Sequence, residues 1–125
     1  MRLRHTLWVP VVLASAQFAS ALELTGRYGY AGEWLVSARL AEVGSPSLSR
    51  GFEGPLHLKH LAMCGPGEVS EKSGTLAVRR AGRRYSATFS IGGESCSVAG
   101  LLAEGSVAFA DCGKTGQIPL RLWLK

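Results

Sequence analysis

The sequence predicts an all-β fold: a small antiparallel meander of seven or eight strands, closed or partly closed into a barrel, with a two-sheet sandwich as the alternative. Three observations carry that prediction. Thr75 to Cys112 reads as three successive β-hairpins, Leu22 to Leu40 alternates apolar and polar residues with period two, and the connections between such stretches are short and free of any helical period.

The hairpins can be tested by register. A two-residue turn at Ala81-Gly82 sets Val78 opposite Tyr85 and Leu76 opposite Ala87. A second at Gly92-Gly93 sets Ile91 opposite Glu94, Phe89 opposite Cys96, Ala87 opposite Val98 and Tyr85 opposite Gly100. Paired glycines suit such turns because both central positions can need a positive φ. Cross-strand partners share a face. One face therefore collects Leu76, Val78, Tyr85, Ala87, Phe89, Ile91, Cys96 and Val98, and the other collects Ser86, Thr88, Ser90, Ser95 and Ser97. A slip of one residue would scramble that sorting. Opposite Tyr85, Gly100 leaves room for the ring.

The first residues stand apart. Arg2, Arg4 and His5 precede the apolar run Leu7 to Ala16, and Ala19-Ser20-Ala21 offers small residues at signal-peptidase spacing. Residues 1–21 are expected to be a secretory signal peptide, and 22–125 a single barrel-like domain. The apolar run falls short of the roughly 20 residues a membrane span needs, so no stable anchor is expected after cleavage. Losing Arg2 and Arg4 lowers a formal net charge of +5 by two. The remaining excess is a weak argument for nucleic acid, and none is expected as a partner. The expected location is periplasmic or secreted.

From Leu22 to Leu40 one parity holds Leu22, Leu24, Tyr28, Tyr30, Trp34, Val36, Ala38 and Leu40. This fits one long bent strand, or a hairpin whose loop Ala31-Gly32-Glu33 sets Tyr30 opposite Trp34. Val43 to Gly54 reads as loop. A strand follows from Leu56 to about Cys64, with Leu56 and Leu58 inward, and Glu68 to Gly74 reads as a charged loop. The last hairpin is ambiguous. A turn at Glu104-Gly105 puts Val107 and Phe109 inside, whereas a longer loop through Ala103 puts Ala108, Ala110 and Cys112 inside, with Cys112 opposite Cys96. Burying Val and Phe rather than alanines gains about 2–3 kcal/mol by transfer, which favours the first. The final strand, Gln117 to Lys125, carries Leu120, Leu122 and Leu124 on one side and Arg121 and Trp123 on the other. Trp123 then faces outward, as cover for another layer or as a partner contact.

Gly32-Glu33-Trp34 in an early strand, together with the eight-strand meander and the leader, resembles the general plan of the calycin barrels. The resemblance covers strand count and one short motif, and no functional residue is transferred from it.

Few residues point to chemistry. Cys64, Cys96 and Cys112 are the disulfide candidates; a meander gathers all three at one end, and an oxidising compartment would leave one bridge and one spare thiol. His57 and His60 are three apart on a strand, so they face opposite ways and do not chelate one metal ion. No G-x-S-x-G elbow is present, and Asp111 is the only aspartate, which excludes an aspartate dyad. No enzyme, metal site or cofactor is therefore expected. The sharpest charge feature is Arg79-Arg80-Ala81-Gly82-Arg83-Arg84, in which facing arginines repel unless an anion sits between them. The expected function is that of an exported non-enzymatic binding protein, an inhibitor being one version, that recognises a protein or polyanionic partner through its loops and the hairpin tip bearing Arg79, Arg80, Arg83 and Arg84. The alternative is a carrier holding a small apolar ligand in the barrel.

Overall fold

Every strand pairs antiparallel with the next, and the last returns to the first, so the sheet closes. This architecture is seen in a computed structural model that describes residues 21–44, 50–61 and 70–125. The strands are β1 (Ala21–Tyr28), β2 (Trp34–Val43), β3 (Arg50–His60), β4 (Glu71–Ala81), β5 (Arg84–Ile91), β6 (Glu94–Leu101), β7 (Ala108–Asp111) and β8 (Gln117–Leu124). The barrel, not the sandwich, is the observed form. Closure removes the exposed edges of an open sheet. The helical content of the described residues is one 3-10 turn, Gly113–Thr115, and no helix there is long and apolar enough to cross a membrane. Residues 1–20 of the expected signal peptide (1–21) and Cys64 lie outside the described residues; β1 begins at Ala21, which pairs with Ala41.

The period-two pattern turns one parity of every strand inward. Leu22, Leu24, Val36, Leu40, Leu56, Leu58, Leu76, Val78, Phe89, Leu120 and Leu122 are buried there. Tyr28, Trp34 and Ile91 pack against this core from its margin. The space left among Tyr28, Leu58, Phe89, Leu120 and their neighbours is about 10 Å³. That is at the lower limit for a single water.

The β5–β6 register is the expected one, with Phe89 opposite Cys96 and Tyr85 opposite Gly100. Gly92 and Gly93 form the turn with φ of 60° and 81°, the paired left-handed conformation that a two-residue hairpin requires. At β4–β5 the turn moves one residue on, to Gly82-Arg83, so Val78 faces Ala87 and Leu76 faces Phe89. The ladder shifts by two positions, which preserves every inward face.

Four other expectations are corrected. β1 and β2 form a hairpin with Tyr28, not Tyr30, opposite Trp34, and Tyr30 is 73% exposed. Gly32 and Glu33 therefore belong to a loop, and Trp34 opens β2. β3 starts at Arg50 inside the presumed loop, where Phe52 is buried and Gly51 and Gly54 take ordinary ladder positions opposite Arg79 and Leu76. β4 starts at Glu71, within the presumed charged loop, because β3 supplies partners for Glu71, Lys72 and Ser73.

The fourth correction concerns the last hairpin. Ala108, Ala110 and Cys112 point inward, and Val107 and Phe109 are 53% and 57% exposed. Transfer energy favoured the opposite choice, but it ignores the room available. Tyr85 already lies across Gly100, where an added Cβ would come within 2.8 Å of the Ala108 Cβ. Only a small residue fits there. Cys112 then reaches Cys96, and the two form a disulfide with a Cα–Cα distance of 4.2 Å. β6 and β7 are otherwise joined by a single ladder pair, Ser97 with Asp111.

Candidate functional site

The two rims of the barrel differ in chemistry. One carries the loop after β2, the β4–β5 turn and the link from β6 to β7. The other carries the loop after β1, the Gly92-Gly93 turn and the 3-10 turn.

The first rim holds the arginines. Because the hairpin turns at Gly82-Arg83, the expected facing pairs do not form: Arg79 lies opposite Ser86, Arg80 opposite Tyr85 and Arg84 opposite Ala81. Val78 and Tyr85 fix the inward parity of their strands, so Arg80 falls on the inward register at the rim and is half-buried. Arg79 and Arg84 fall on the outer face as diagonal neighbours, a separation of about 7–8 Å in such pairs. Arg83 occupies the exposed tip. The structure thus divides the four arginines among inner rim, tip and outer face.

A fifth arginine joins them. β3 begins at Arg50, and the ladder places it directly opposite Arg80. The sequence gives no sign of this residue's place, because its surroundings, Ser-Leu-Ser-Arg-Gly, carry no strand signal. Phe52 two residues on, with polar neighbours at odd positions, is the clue that could have extended β3 back to it. Like charges directly opposite each other in a sheet are unfavourable. The Arg80 Nε donates to the Gly82 carbonyl at 2.9 Å, which holds its side chain over the turn. The Arg50 Nε stands 3.9 Å from the Glu42 carboxylate. Glu42, Glu53 and Glu104 lie towards this rim, as does Glu23 on β1, which meets Arg39, alongside Arg50, Arg79, Arg80, Arg83 and Arg84. A second directly opposed pair, Arg27 with Arg121, lies on the outer face of β1 and β8, where Arg27 donates to the Gly32 carbonyl at 3.4 Å.

The opposite rim is built on Trp34. His60 meets its ring edge-on at 4.7 Å, and the Lys72 ammonium stands 4.7 Å from the ring centre. A cavity of about 70 Å³ lies here among Tyr28, Trp34, Lys72, Ile91, Glu94 and Cys96. Tyr28 packs edge-on against Phe89, and its hydroxyl is 3.7 Å from the Cys112 sulfur. Burial, then the nearby Glu94, Tyr30 and Glu33, raise the Tyr28 pKa above its ordinary value. His57 points the other way and meets the Ser73 hydroxyl at 3.4 Å. The two histidines are therefore held apart. Among the described residues no cluster of three His, Cys, Asp or Glu side chains could hold a metal ion. Trp123 is half-buried on the outer face opposite Thr25.

This arrangement can attract and orient anionic groups at one rim by charge-assisted hydrogen bonds from guanidinium forks. In comparison with known proteins, no family model matches the chain, and neither a curated protein nor a solved structure matches it.

Proposed function

We propose that the protein is an exported, non-enzymatic binding module that takes an acidic protein or a polyanion at its arginine-bearing rim. The observation that carries this is the Arg50–Arg80 pairing. It places two arginines directly opposite each other on adjacent strands, next to the tip arginine, so that their charges add at one rim and can be shared by one bound anion. Rigid strands hold such groups more firmly than a loop does. The Cys96–Cys112 bridge supports placing this activity in an oxidising compartment, periplasmic or extracellular. An inhibitor that caps an acidic surface is one form of the same activity. The filled core lends no support to a carrier of small apolar ligands, since such sites enclose roughly 300–1,000 Å³.

Heparin-affinity chromatography of the full chain tests the proposal. The protein is expected to be retained and to elute earlier as salt rises, because exposed charge pairs are screened. Arg50→Ser with Arg80→Ser should elute at clearly lower salt. Arg27→Ser with Arg121→Ser removes the same charge elsewhere and should change elution much less. Equal shifts for the two double variants would reduce the effect to net charge and sink the proposed site.

A further inference from the structure

We infer that the rim opposite the arginines is a second site, which holds a free α-amino acid: its ammonium on Glu94 and Tyr28, its carboxylate on Lys72, and an apolar side chain beside Trp34. The register builds this site. Tyr28 lies opposite the buried Leu120, Trp34 opposite Tyr28, and Lys72 opposite the buried Leu58. Glu94 lies opposite Ile91, two residues from the buried pair of Phe89 and Cys96. Tyr28, Trp34, Lys72, Ile91 and Glu94 therefore all fall on the inward register and ring one mouth of the barrel. At the arginine end the interior is filled by Tyr85 and Leu102, both buried. At this end a cavity of about 70 Å³ remains, floored by Leu58 and Cys96. Barrel mouths are favoured places for small-molecule sites. A water occupies about 30 Å³ in the liquid, so the cavity has room for about two waters, or for an ammonium, its α-carbon and its carboxylate.

The lining selects that chemistry. Lys72 and Glu94 border the same cavity, yet among the described residues they form no ion pair with each other. The Lys72 ammonium stands over the Trp34 ring, a contact that leaves it N–H donors for an acceptor. Thr115 donates to Oε1 of Glu94, which leaves Oε2 open. The Tyr28 hydroxyl donates to the Cys112 sulfur, which in a disulfide carries no proton, and its oxygen remains an acceptor. Burial, then Glu94, Tyr30 and Glu33, raise the Tyr28 pKa, so negative potential lies on the side where the ammonium belongs. An anion alone would be opposed by Glu94, and a cation alone by Lys72. An apolar group would desolvate both charges without pairing either. A zwitterion satisfies both. A peptide does not, because its two terminal charges sit on different residues. Trp34 and Ile91, half-buried at the lip, offer contact to an apolar side chain. His60 packs edge-on against Trp34 and steadies the indole.

Isothermal titration calorimetry of the full chain with L-leucine tests this, with heparin retention measured on the same proteins. L-leucine should bind. Isocaproate, the same skeleton without the ammonium, and isoamylamine, the same skeleton without the carboxylate, should each bind roughly tenfold more weakly or worse, because each leaves one charge of the site unpaired. Lys72→Met and Glu94→Gln should each weaken L-leucine binding by a similar factor. Both positions are exposed, so both variants should keep the wild-type far-ultraviolet dichroism, and both should keep heparin retention. Three results overturn the inference: no L-leucine binding to the wild-type chain, either analogue bound as tightly as L-leucine, or L-leucine binding indifferent to both substitutions. Heparin retention reads the arginine rim, so its persistence beside any of these leaves the proposed function in place. L-leucine binding without heparin retention does the reverse.

Discussion

Tyr85 and Gly100 stand opposite each other on β5 and β6, and a Cβ built on Gly100 would touch the Tyr85 ring and hydroxyl at 3.5 Å while pressing to 2.8 Å from the Ala108 Cβ. The tyrosine contact is ordinary; the alanine contact is not. Gly100→Ala should therefore cost roughly 1–3 kcal/mol by overpacking. Ala108→Gly in the same chain should recover part of that loss despite glycine's own penalty in a strand. Urea unfolding of the four proteins in this double-mutant cycle gives the coupling. Additive losses would show that the seam between β6 and β7 is slack.

A pH dependence follows from the same tyrosine. Burial pushes the Tyr85 pKa from 10.0 up to about 12. Folding thus favours the neutral phenol. Its contribution is complete below pH 10 and is lost as pH rises from 10 towards 12, by roughly 2–3 kcal/mol. Tyr85→Phe cannot ionise, so wild type and variant should diverge over that interval in urea unfolding. Parallel curves through pH 12 would rule out a buried phenol at this position.

The disulfide is predicted to matter most locally. The cysteines are 16 residues apart, for which loop closure is worth roughly 3 kcal/mol. Cys96→Ala with Cys112→Ser should lose about that much. Amide exchange should accelerate at Ala108–Asp111 before it does in β5, since one ladder pair is all that otherwise joins β7 to β6. A loss below about 1 kcal/mol with β7 still protected would show that the seam closes without the bond.

What the sequence disclosed, and what it concealed, follows from how local each signal is. The β5–β6 hairpin was legible to the residue because Gly92-Gly93 permits essentially one kind of turn and the flanking alternation permits one register. The β4–β5 turn falls one residue later than the glycine pattern suggests, since Ala81-Gly82 and Gly82-Arg83 sort the faces equally well; burial cannot distinguish registers two positions apart. The start of β3 is hidden in the sequence because Gly51 and Gly54 read as loop until β4 supplies their partners. The outward turn of Phe109 is not legible locally, because transfer energy is additive along a sequence while interior volume is shared around the barrel. The arginine rim follows the same rule: Arg79, Arg80, Arg83 and Arg84 are visible as a run, whereas Arg50 joins them only through a ladder across a loop.

Barrel closure also sets how this molecule can be attached to anything. β1 rises from Ala21 and β8 descends to Leu124, and the Lys125 amide donates to the Glu23 carbonyl at 3.2 Å. Ala21 and Lys125 therefore stand side by side, on the rim that bears the arginines. A tag, surface tether or fluorescent fusion joined directly at Ala21 or Lys125 hangs over that rim and shadows it. Anchoring through a side chain at the Gly92-Gly93 turn, or opening a circular permutant there and joining the old termini by a short linker, turns the arginine rim outward to solvent.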